Sequence, residues 1–424
     1  MSKKQPKKQD AAARAGVSQE EAELIAQLYS GKPILGPQGV LTPLVQRLIN
    51  AALEGEMDVH LEEERQAGAE AQESPKRNRR NGHTHKQVRT HVGPVAVQPP
   101  RDRSGTFTPQ LIGKWERQLH TGLDEQIRYL YGLGNSVEDI RRQLLEIYGL
   151  AYSDGAISAI VERVWAEVVA WQQRLLQTLY VVIYLDAVHF KVREQGRVVT
   201  QAIYTVYGID AEGQRDVLGL YVGEAEGAHQ WARIVEDLRR RGVEEVLFFC
   251  VDGLAGFAEA LLSVFPQSLV QRCIVHMIRS STKLVAEKDR KALCADLRQI
   301  YTASDVVAAE LALEAFEEKW GRKYAEVGRK WRENWTELMV FMDFSAAIRR
   351  LIYTTNAVEG LHRQLRQVTK AKGPWTNGKG LLKQLYLALQ GKQDVWSKRV
   401  YNWREIQREL IAHFGERYSR HLAP

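Results

Sequence analysis

The order of strand-like and helix-like runs between residues 180 and 265 constrains the fold of this chain more than any other feature. Three β-rich runs, YVVIYLDAVHF, VVTQAIYTVYGID and RDVLGLYVG, follow one another, with a turn signal at residues 210–213, and they predict an antiparallel meander. An amphipathic helix (HQWARIVEDLRRRG), a buried strand (EVLFFCVDG) and a second helix (LAGFAEALLSVF) come next. The predicted order is therefore β-β-β-α-β-α, which indicates an α/β core.

Two aspartates lie where apolar runs of this core end. Asp186 ends YVVIYLD in the first run, and Asp252 ends EVLFFCVD in the fourth. A buried run that ends in Asp is costly unless the carboxylate reaches solvent, a cation or hydrogen-bond donors. An Asp at the end of the first strand and another at the end of the fourth are typical of the ribonuclease H-like plan. The alternative is that each Asp only caps its strand or starts a turn.

A third acid, Glu359, lies in a later segment, TTNAVEGLHRQLR, which has a helical pattern. At about 100° per residue, Arg363, Arg366 and Lys370 fall within about 40° of Glu359, and His362 lies about 60° to one side. The opposite face is apolar and consists of Val358, Leu361, Leu365 and Val368. Such a helix can present an acid between bases that bind phosphates. The alternative is an ordinary Glu359–Arg363 ion pair on a solvated face.

Two aspartates on strands and a glutamate on a later helix can converge on a pair of divalent metal ions. Metal-assisted phosphoryl transfer needs hard oxygen ligands, and a two-metal site stabilises both the attacking and the leaving oxygen. Asp186, Asp252 and Glu359 are therefore the predicted catalytic and metal-binding residues. The predicted cofactor is Mg²⁺, with Mn²⁺ as its substitute, and the predicted chemistry is phosphodiester hydrolysis and strand transfer on DNA.

The stretch between Asp252 and Glu359 is too long for a loop in a compact fold. From about Cys273 to Thr354 its pattern is almost wholly helical, so we expect an all-helical insertion with its own core, packed by Trp320, Trp331 and Trp335. The predicted organisation is a basic disordered tail (1–20), an N-terminal helical and basic region (21–107), a helical DNA-binding region (108–178), a first core part (179–279), the insertion (280–343), and a second core part with C-terminal helices (344–424).

The balance of charge points to nucleic acid. The 424 residues carry a net charge of +7, and the sequence pI is about 9.1. The bases cluster, most densely in SPKRNRRNGHTHKQVRTHVGPVAVQ, where Arg77, Arg79 and Arg80 are candidate DNA contacts. The same stretch contains two possible short strands, KQVRTHV and VAVQ. A solvated linker is the alternative interpretation of this segment.

A helix-turn-helix outline follows the basic stretch. Residues 136–139 form a variant capping box, with Asp139 in place of the usual Glu. Gly149 would end that helix, and Ser153 could cap a second one that runs past Val164. Some proteins use two helices joined by a short glycine-containing turn to bind DNA, although many helical bundles have the same outline.

Cysteine usage and the lack of apolar segments favour a cytoplasmic protein. Three cysteines are too few for a disulfide framework. The start, MSKKQPKKQD, lacks the apolar stretch of a signal peptide. No apolar run approaches the roughly 18 residues that a membrane helix needs, so we expect no membrane association.

Several segments resemble those of bacterial insertion-sequence transposases of the Mutator superfamily. They are YLDAVHFKVR, VLGLYVGEAEGAHQW, FFCVDGLAGFAEAL, FPQSLVQRCIVH, IYTTNAVEGLHRQLRQVTKAKG and LLKQLYLALQ. They occur in the order and with the spacing that the family shows, over about residues 75–415. Two departures stand near the third acid, where His362 replaces a frequent Asn and Gly360 replaces a frequent Ser.

The resemblance implies an RNase H-like mixed-sheet core interrupted by an all-helical insertion. It also implies a DDE triad of Asp186 in LDA, Asp252 in VDG and Glu359 in TTNAVEG. Further implications are binding of terminal inverted repeats by a mainly helical N-terminal region, dependence on a divalent metal, and action on transposon ends and target DNA as a homodimer or higher oligomer. The expected location is the prokaryotic cytoplasm, in association with the nucleoid.

Other positions that match the family have less certain roles. Cys273 and His276 lie in QRCIVH, which is only half of a four-ligand zinc site. Cys273 is expected to be structural, and His276 could contact DNA or orient an acid. Trp231 is expected to pack the first core helix, and Lys370 and Lys372 are expected to line the DNA path.

Three functions are compatible with the sequence. The first is a transposase that cuts DNA at transposon ends and joins the freed 3′-OH to another phosphodiester. The second is a transposase-derived DNA-binding protein without catalytic activity, and the third is an RNase H-like nuclease without strand transfer. The presence of all three acids favours the first.

Overall fold

The structure, a computed structural model, describes residues 18–70, 78–119, 122–223, 228–253, 256–369 and 374–422. The chain divides into two compact units. The first comprises Met1–Tyr131 and Asn135–Arg163, and the second comprises Gly132–Gly134 and Val164–Pro424. None of the helices in the described ranges is long and apolar enough to cross a membrane.

The first unit combines helices with two small antiparallel sheets. Its elements are α1 (Gln19–Tyr29), α2 (Thr42–Glu70), β1 (Arg80–His83), β2 (Lys86–Thr90), β3 (Gly93–Val97), β4 (Pro100–Asp102), α3 (Leu123–Gly132), α4 (Val137–Tyr148) and α5 (Asp154–Gln173), of which α3 and α5 extend into the second unit. Strand β1 pairs with β4, and β2 pairs with β3. The predicted strands KQVRTHV and VAVQ are confirmed as β2 and β3, whereas β1 and β4 were not predicted. Ile49 and Leu53 of α2 pack with Val88, Val95 and Val97 of these strands in a small core.

The predicted caps of α4 and α5 are confirmed. The Ser136 hydroxyl accepts the N–H of Asp139 at 3.1 Å, and the Asp139 carboxylate accepts the N–H of Ser136 at 3.1 Å. Gly149 ends α4 in the left-handed conformation, with φ of 65°. The Ser153 hydroxyl then accepts the N–H of Ala156 at 3.2 Å and starts α5. The helix pair therefore has the outline that local sequence predicts, while its role in reading DNA stays a prediction.

A mixed sheet of five strands forms the centre of the second unit. The strands are β5 (Leu179–Glu194), β6 (Arg197–Asp210), β7 (Arg215–Gly223), β8 (Glu245–Val251) and β9 (Leu269–Arg272). Their spatial order is β7-β6-β5-β8-β9. Strands β5, β6 and β7 pair antiparallel, which confirms the predicted meander, and β8 pairs parallel with both β5 and β9. Strand β9 was not predicted.

Helices cover both faces of this sheet. On one face lie α6 (Ala228–Arg240) and α7 (Phe257–Leu262), whose Trp231, Leu238 and Phe257 belong to one apolar cluster with Leu185 and Phe249 of the strands. The other face packs against helices from later in the chain. Because successive residues of a strand point to opposite faces, the buried runs of β5 and β8 are apolar on both sides.

Every residue between β9 and the helix that carries Glu359 is described, and the elements there are all helical. They are α8 (Ile274–Thr282), α9 (Glu287–Tyr301), α10 (Val306–Glu333), α11 (Trp335–Met339), a 3₁₀ turn (Val340–Asp343) and α12 (Ala346–Ile352). Trp320 and Trp331 are buried, and Trp335 is partly buried. These helices share one continuous apolar cluster with the sheet, so the boundaries 280–343 of a separate insertion stay a prediction.

Five helices follow in the described residues between 356 and 422. They are α13 (Asn356–Thr369), α14 (Gly378–Gln390), α15 (Gln393–Trp396), α16 (Trp403–Phe414) and α17 (Glu416–Ser419). The indole N–H of Trp403 and the hydroxyl of Tyr418 both donate to the carbonyl of Ala211, at 3.0 and 2.6 Å. These bonds hold the last helices against the turn between β6 and β7.

Candidate active site

Asp186 and Asp252 lie side by side on neighbouring parallel strands. The β5–β8 register pairs Leu185 with Val251, and each aspartate is the next residue along the chain. Asp252 directly follows β8, as the sequence predicts. Parallel pairing brings the carboxyl end of β8 to Asp186, so the two carboxylates share one edge of the sheet.

The position of Asp186 within its strand corrects the prediction. The sequence pattern places it at a strand end, but β5 continues to Glu194 and stays paired with β6 over that length. The apolar run stops at Asp186 because the pairing with β8 stops at Leu185. The change in composition therefore marks where a neighbouring strand ends, not where β5 ends.

Alternation along β5 turns Asp186 toward α13. Tyr184 and Val188, two positions on either side, belong to the apolar cluster that includes Val358 and Leu361 of α13. Residues spaced by two point to the same face of a strand. Asp186 therefore faces α13 and is 8% exposed.

Helix α13 brings Glu359 to the two aspartates. Its predicted apolar stripe is confirmed, since Val358, Leu361, Leu365 and Val368 are all buried. Glu359 lies in the first turn of the helix, and its side chain is 22% exposed. The amino end of a helix favours a carboxylate because the unpaired N–H groups carry partial positive charge.

Two cationic side chains of α8 connect the acids. The Nδ1 of His276 donates to a carboxylate oxygen of Asp252, and Nε2 lies 3.0 Å from Oε1 of Glu359. The Arg279 guanidinium donates to both carboxylate oxygens of Glu359, the Nη2–Oε2 distance being 3.1 Å. Sequence reasoning missed Arg279, although its spacing of three from His276 on a predicted helix was a usable signal.

The pKa directions at the site follow from burial and these pairings. Burial raises the pKa of Asp252, and the like charges of Asp186 and Glu359 add to that rise, while the hydrogen bond from His276 opposes it. The hydrogen bond from Arg279 holds the pKa of Glu359 below its usual value, against the effect of burial. The hydrogen bond to Asp252 raises the pKa of His276 to about 10, so its imidazole is charged at neutral pH. Asp252 and Glu359 therefore share a pair of cations, and the negative charge of Asp186 acts on both of these acids.

His362 lies beneath Asp186 and not on the solvent side of α13. It is 4% exposed, its Nδ1 lies 3.2 Å from Oδ2 of Asp186, and its Nε2 lies 2.9 Å from the hydroxyl of Thr205. Since the hydroxyl of Thr205 can donate to Nε2, the proton on Nδ1 is free to point at Asp186. The other oxygen of Asp186 accepts the N–H of Ala187 at 2.8 Å. This burial argues against the predicted DNA contact and makes His362 a support for Asp186.

Cys273 is buried behind the acids. Its sulfur lies 3.4 Å from both the N–H and the hydroxyl of Thr355, at the start of α13. Burial alone would raise the pKa of the Cys273 thiol, but hydrogen bonds from His276 and Thr355 outweigh it and lower the pKa. The thiol therefore ties the start of α8 to the start of α13, which agrees with the structural role expected for it.

The donor set at the site fits a hard divalent ion. Asp186 keeps free lone pairs on oxygens that are already oriented by His362 and Ala187, which is the outer support that ligating carboxylates usually have. Asp252, Cys273 and His276 also offer ligand atoms within 4.8 Å of one another. That softer set has three members, one short of a structural zinc site. The acidic groups of the site could hold a metal ion through hard carboxylate oxygens.

The remaining predicted site residues have different surroundings. Arg363 and Arg366 are exposed on α13, and Arg79 is exposed before β1. Arg80 pairs with Glu54 and Asp58 of α2, so its charge is already balanced. Arg77, Lys370 and Lys372 lie outside the described residues.

Trp231 is 1% exposed and packs edge-on against Tyr204 and beside Phe257. Its ring is therefore held between the sheet and α7, as expected for a residue that packs the first core helix. A stacked DNA base could not reach the ring in this arrangement.

Comparisons with known proteins point to one family. A family model described as Transposase, Mutator family, matches residues 17–399. The transposase for insertion sequence element ISRM3 of Rhizobium meliloti (strain 1021) is 39% identical over 402 residues, which cover 94% of this chain and 99% of that protein. A probable transposase for an insertion sequence element of Corynebacterium diphtheriae is 41% identical over 343 residues, which cover 76% of this chain and 100% of that protein. Among solved structures, the Drosophila P element transposase strand transfer complex aligns over 69% of this chain and 85% of that chain at 11% identity, and its TM-score of 0.25 is too low to argue from.

Proposed function

The chain belongs to the Mutator family of transposases, and we propose that it binds the terminal inverted repeats of its element, cleaves DNA there and transfers the freed 3′-OH to target DNA. Water would attack in the first step and a DNA 3′-OH in the second. The proposed fold of the catalytic core is RNase H-like. The strand order β7-β6-β5-β8-β9, with an antiparallel meander followed by two parallel strands, supports that assignment.

The observation that carries the proposal is the meeting of Asp186, Asp252 and Glu359. The β5–β8 register sets the two aspartates side by side, and α13 packs against the face to which Asp186 points. The pKa of Asp252 responds to the charges of both other acids, after the larger effects of burial and the His276 hydrogen bond. Carboxylates supply the hard oxygen ligands that a divalent-metal site for phosphoryl transfer uses.

In this proposal each group at the site has a distinct task. Asp186, Asp252 and Glu359 would hold Mg²⁺, or Mn²⁺ in its place, and the bound ions supply Lewis-acid stabilisation of the attacking and leaving oxygens. His276 and Arg279 orient two of the acids through direct hydrogen bonds. His362 fixes the rotamer of the third acid from below.

DNA binding is proposed to involve both units. Arg363 and Arg366 are exposed on the helix that carries Glu359, where they would contact phosphates beside the cleaved bond. The first unit, with Arg79 and the α4–α5 pair, would recognise the terminal repeats. A homodimer or higher oligomer on nucleoid DNA would bring two ends together.

Cleavage of a labelled duplex that carries one end of the element tests the proposal. The wild type should nick at the end in Mg²⁺ or Mn²⁺, while Asp186→Asn, Asp252→Asn and Glu359→Gln should each lose cleavage and keep most of their DNA affinity. Glu318→Gln is the matched control, because Glu318 is exposed on α10. Cleavage that survives in all three acid variants would show that the triad is wrongly assigned.

The same assay separates the other two functions. Binding of the end duplex by the wild type without cleavage in either metal would favour a DNA-binding protein without catalytic activity. Cleavage without any joined product, when target DNA is supplied, would favour a nuclease.

A further inference from the structure

A cavity of about 620 Å³ opens beside Asp252, between α8 and the end of α10. On the α8 side the basic residues of its lining are His276, Arg279 and Lys283, the last of which directly follows the helix. These residues lie on one face of the helix because they are spaced by three and seven positions. Lys330, in the last turn of α10, lines the other side. The cavity therefore starts at an acid of the proposed catalytic triad and leads away between two basic walls.

Two of the bases around the cavity are already paired with acids. Arg272 donates to Glu337 at 2.9 Å, and Arg279 donates to Glu359. Both guanidinium groups therefore contribute little uncompensated charge to the cavity.

Lys283 and Lys330 are the bases left for a ligand. Lys283 is exposed and has no ion pair among the described residues. The Nζ of Lys330 lies 4.0 Å from Oε1 of Glu326, which is a long and weak ion pair. The acid Glu333 also lines the cavity, but its side chain is 57% exposed. The residues that line the cavity thus include more bases than acids, and these two ammonium groups are the ones not held in a close ion pair.

Both lysines lie at the carboxyl ends of helices, where a cation offsets the helix dipole. That effect would explain either residue alone. It does not explain why both line one cavity that begins at Asp252. A negatively charged ligand that reaches the catalytic acids would account for both.

We propose that this cavity holds the sugar-phosphate backbone of one DNA strand next to the cleaved bond, with Lys283 and Lys330 contacting its phosphates. The inference rests on the proposed function and names a subsite of the same active site. Its volume falls within the roughly 300–1,000 Å³ of sites that enclose small ligands, which leaves room for a short stretch of one strand. A backbone contact of this kind positions DNA without reading its sequence.

The salt dependence of DNA binding tests the contacts. Full-length wild type and Lys283→Ala/Lys330→Ala are titrated with a fluorescent end duplex across salt concentrations. Each phosphate contact contributes about 0.9 to the slope of log affinity against log salt, so the double variant should lose about 1.8. Between about 50 and 200 mM salt, the factor by which its affinity falls should then be about 12 times smaller than the factor for the wild type. Lys288→Ala/Lys291→Ala is the matched control, since both lysines are exposed on α9 and do not line the cavity.

A second measurement locates the contacts on DNA. Single phosphates on either side of the cleaved bond are replaced by uncharged methylphosphonates. The wild type should lose affinity at one or two adjacent positions, and the cavity variant should be insensitive at those same positions. Lys283→Arg/Lys330→Arg should keep both the wild-type slope and the wild-type pattern.

The outcomes distinguish this inference from the proposed function. If the wild type cleaves the end duplex but the cavity double variant has the slope and phosphate pattern of the α9 control, the subsite is wrong and the function stands. If the wild type shows no metal-dependent cleavage, the proposed function fails. In that case a phosphate contact at the end of the element that is lost in the cavity variant would still support the strand-binding cavity.

Discussion

Replacing His362 by Ala is the most informative single change at this site. The imidazole links the hydroxyl of Thr205 at 2.9 Å to the carboxylate of Asp186 at 3.2 Å. Thr205 is 0% exposed, His362 is 4% exposed and Asp186 is 8% exposed. Water has little access to any of the three groups, so the hydroxyl of Thr205 and one oxygen of Asp186 both depend on His362 for a hydrogen bond.

The expected cost follows from those partners. Leaving the buried hydroxyl of Thr205 without a partner costs about 1–3 kcal/mol, and the lost hydrogen bond to the charged Asp186 costs about 1.5–3 kcal/mol. The two terms belong to one network and do not simply add. We therefore expect His362→Ala to lower the free energy of unfolding of the second unit by about 3 kcal/mol. Loss of such a support should also raise the Mn²⁺ concentration for half-maximal cleavage by about 10- to 100-fold.

Three variants separate positioning from packing. His362→Ala removes both hydrogen bonds, Thr205→Val removes the hydroxyl and keeps its shape, and His362→Asn restores an amide donor. Unfolding in denaturant and the Mn²⁺ dependence of cleavage are measured for each. The Asn variant should recover more of the metal affinity than of the stability, because a shorter side chain fills less space.

Gln367→Ala, an exposed change on the same helix, is the control for altered helix propensity. The reasoning is refuted if His362→Ala unfolds at the wild-type denaturant concentration and needs no more Mn²⁺ than the wild type.

Three further changes test the fold. Burial raises the pKa of Asp102, but its hydrogen bonds, first of all the one from Asn78, hold that pKa well below its usual range. The ionised Asp102 therefore stabilises the first unit fully above about pH 4, and this stabilisation is lost as the pH falls. Asp102→Asn should therefore lower the stability of the first unit at pH 7 and flatten its loss in acid, measured by denaturant unfolding from pH 7 to 2. Gly134→Ala should destabilise the second unit by about 3 kcal/mol, because φ is 106° and a Cβ would lie 2.3 Å from the carbonyl oxygen of Val368. Gly360→Ala should instead raise the melting temperature, since nothing lies within 4 Å of its Cβ and alanine favours a helix by about 1 kcal/mol.

Elements with a strong local pattern were predictable from the sequence. The strands of the meander either alternate between polar and apolar residues or are fully apolar. Helix α4 has a complete capping box, and Gly149 ends this helix. Strand β9 was not predictable in this way, because its four residues, LVQR, include two polar ones and the pattern is too short to count. It forms because β8 offers it a partner.

The acids of the site could be predicted, but their partners could not. Asp186, Asp252 and Glu359 interrupt or flank apolar patterns, which local reasoning detects. Arg279 reaches Glu359 across 80 positions of sequence, and only the packing of α8 beside α13 makes that contact. The helical wheel put His362 about 60° from Glu359, near the edge of the apolar face. Because α13 lies flat on a wide sheet, that edge is buried.

The contact between Thr205 and the acidic site follows from a turn that was overlooked. Gln195 and Gly196 both have positive φ, at 47° and 79°, as a two-residue hairpin of type I′ requires. This turn pairs Glu194 with Arg197, and the register then runs unbroken to the pair of Asp186 with Thr205. Directly opposed residues of antiparallel strands share one face, so the turn alone sets Thr205 beside Asp186. A slip of β6 against β5 by one residue would point Thr205 and Asp186 to opposite faces of the sheet, and His362 could no longer join them.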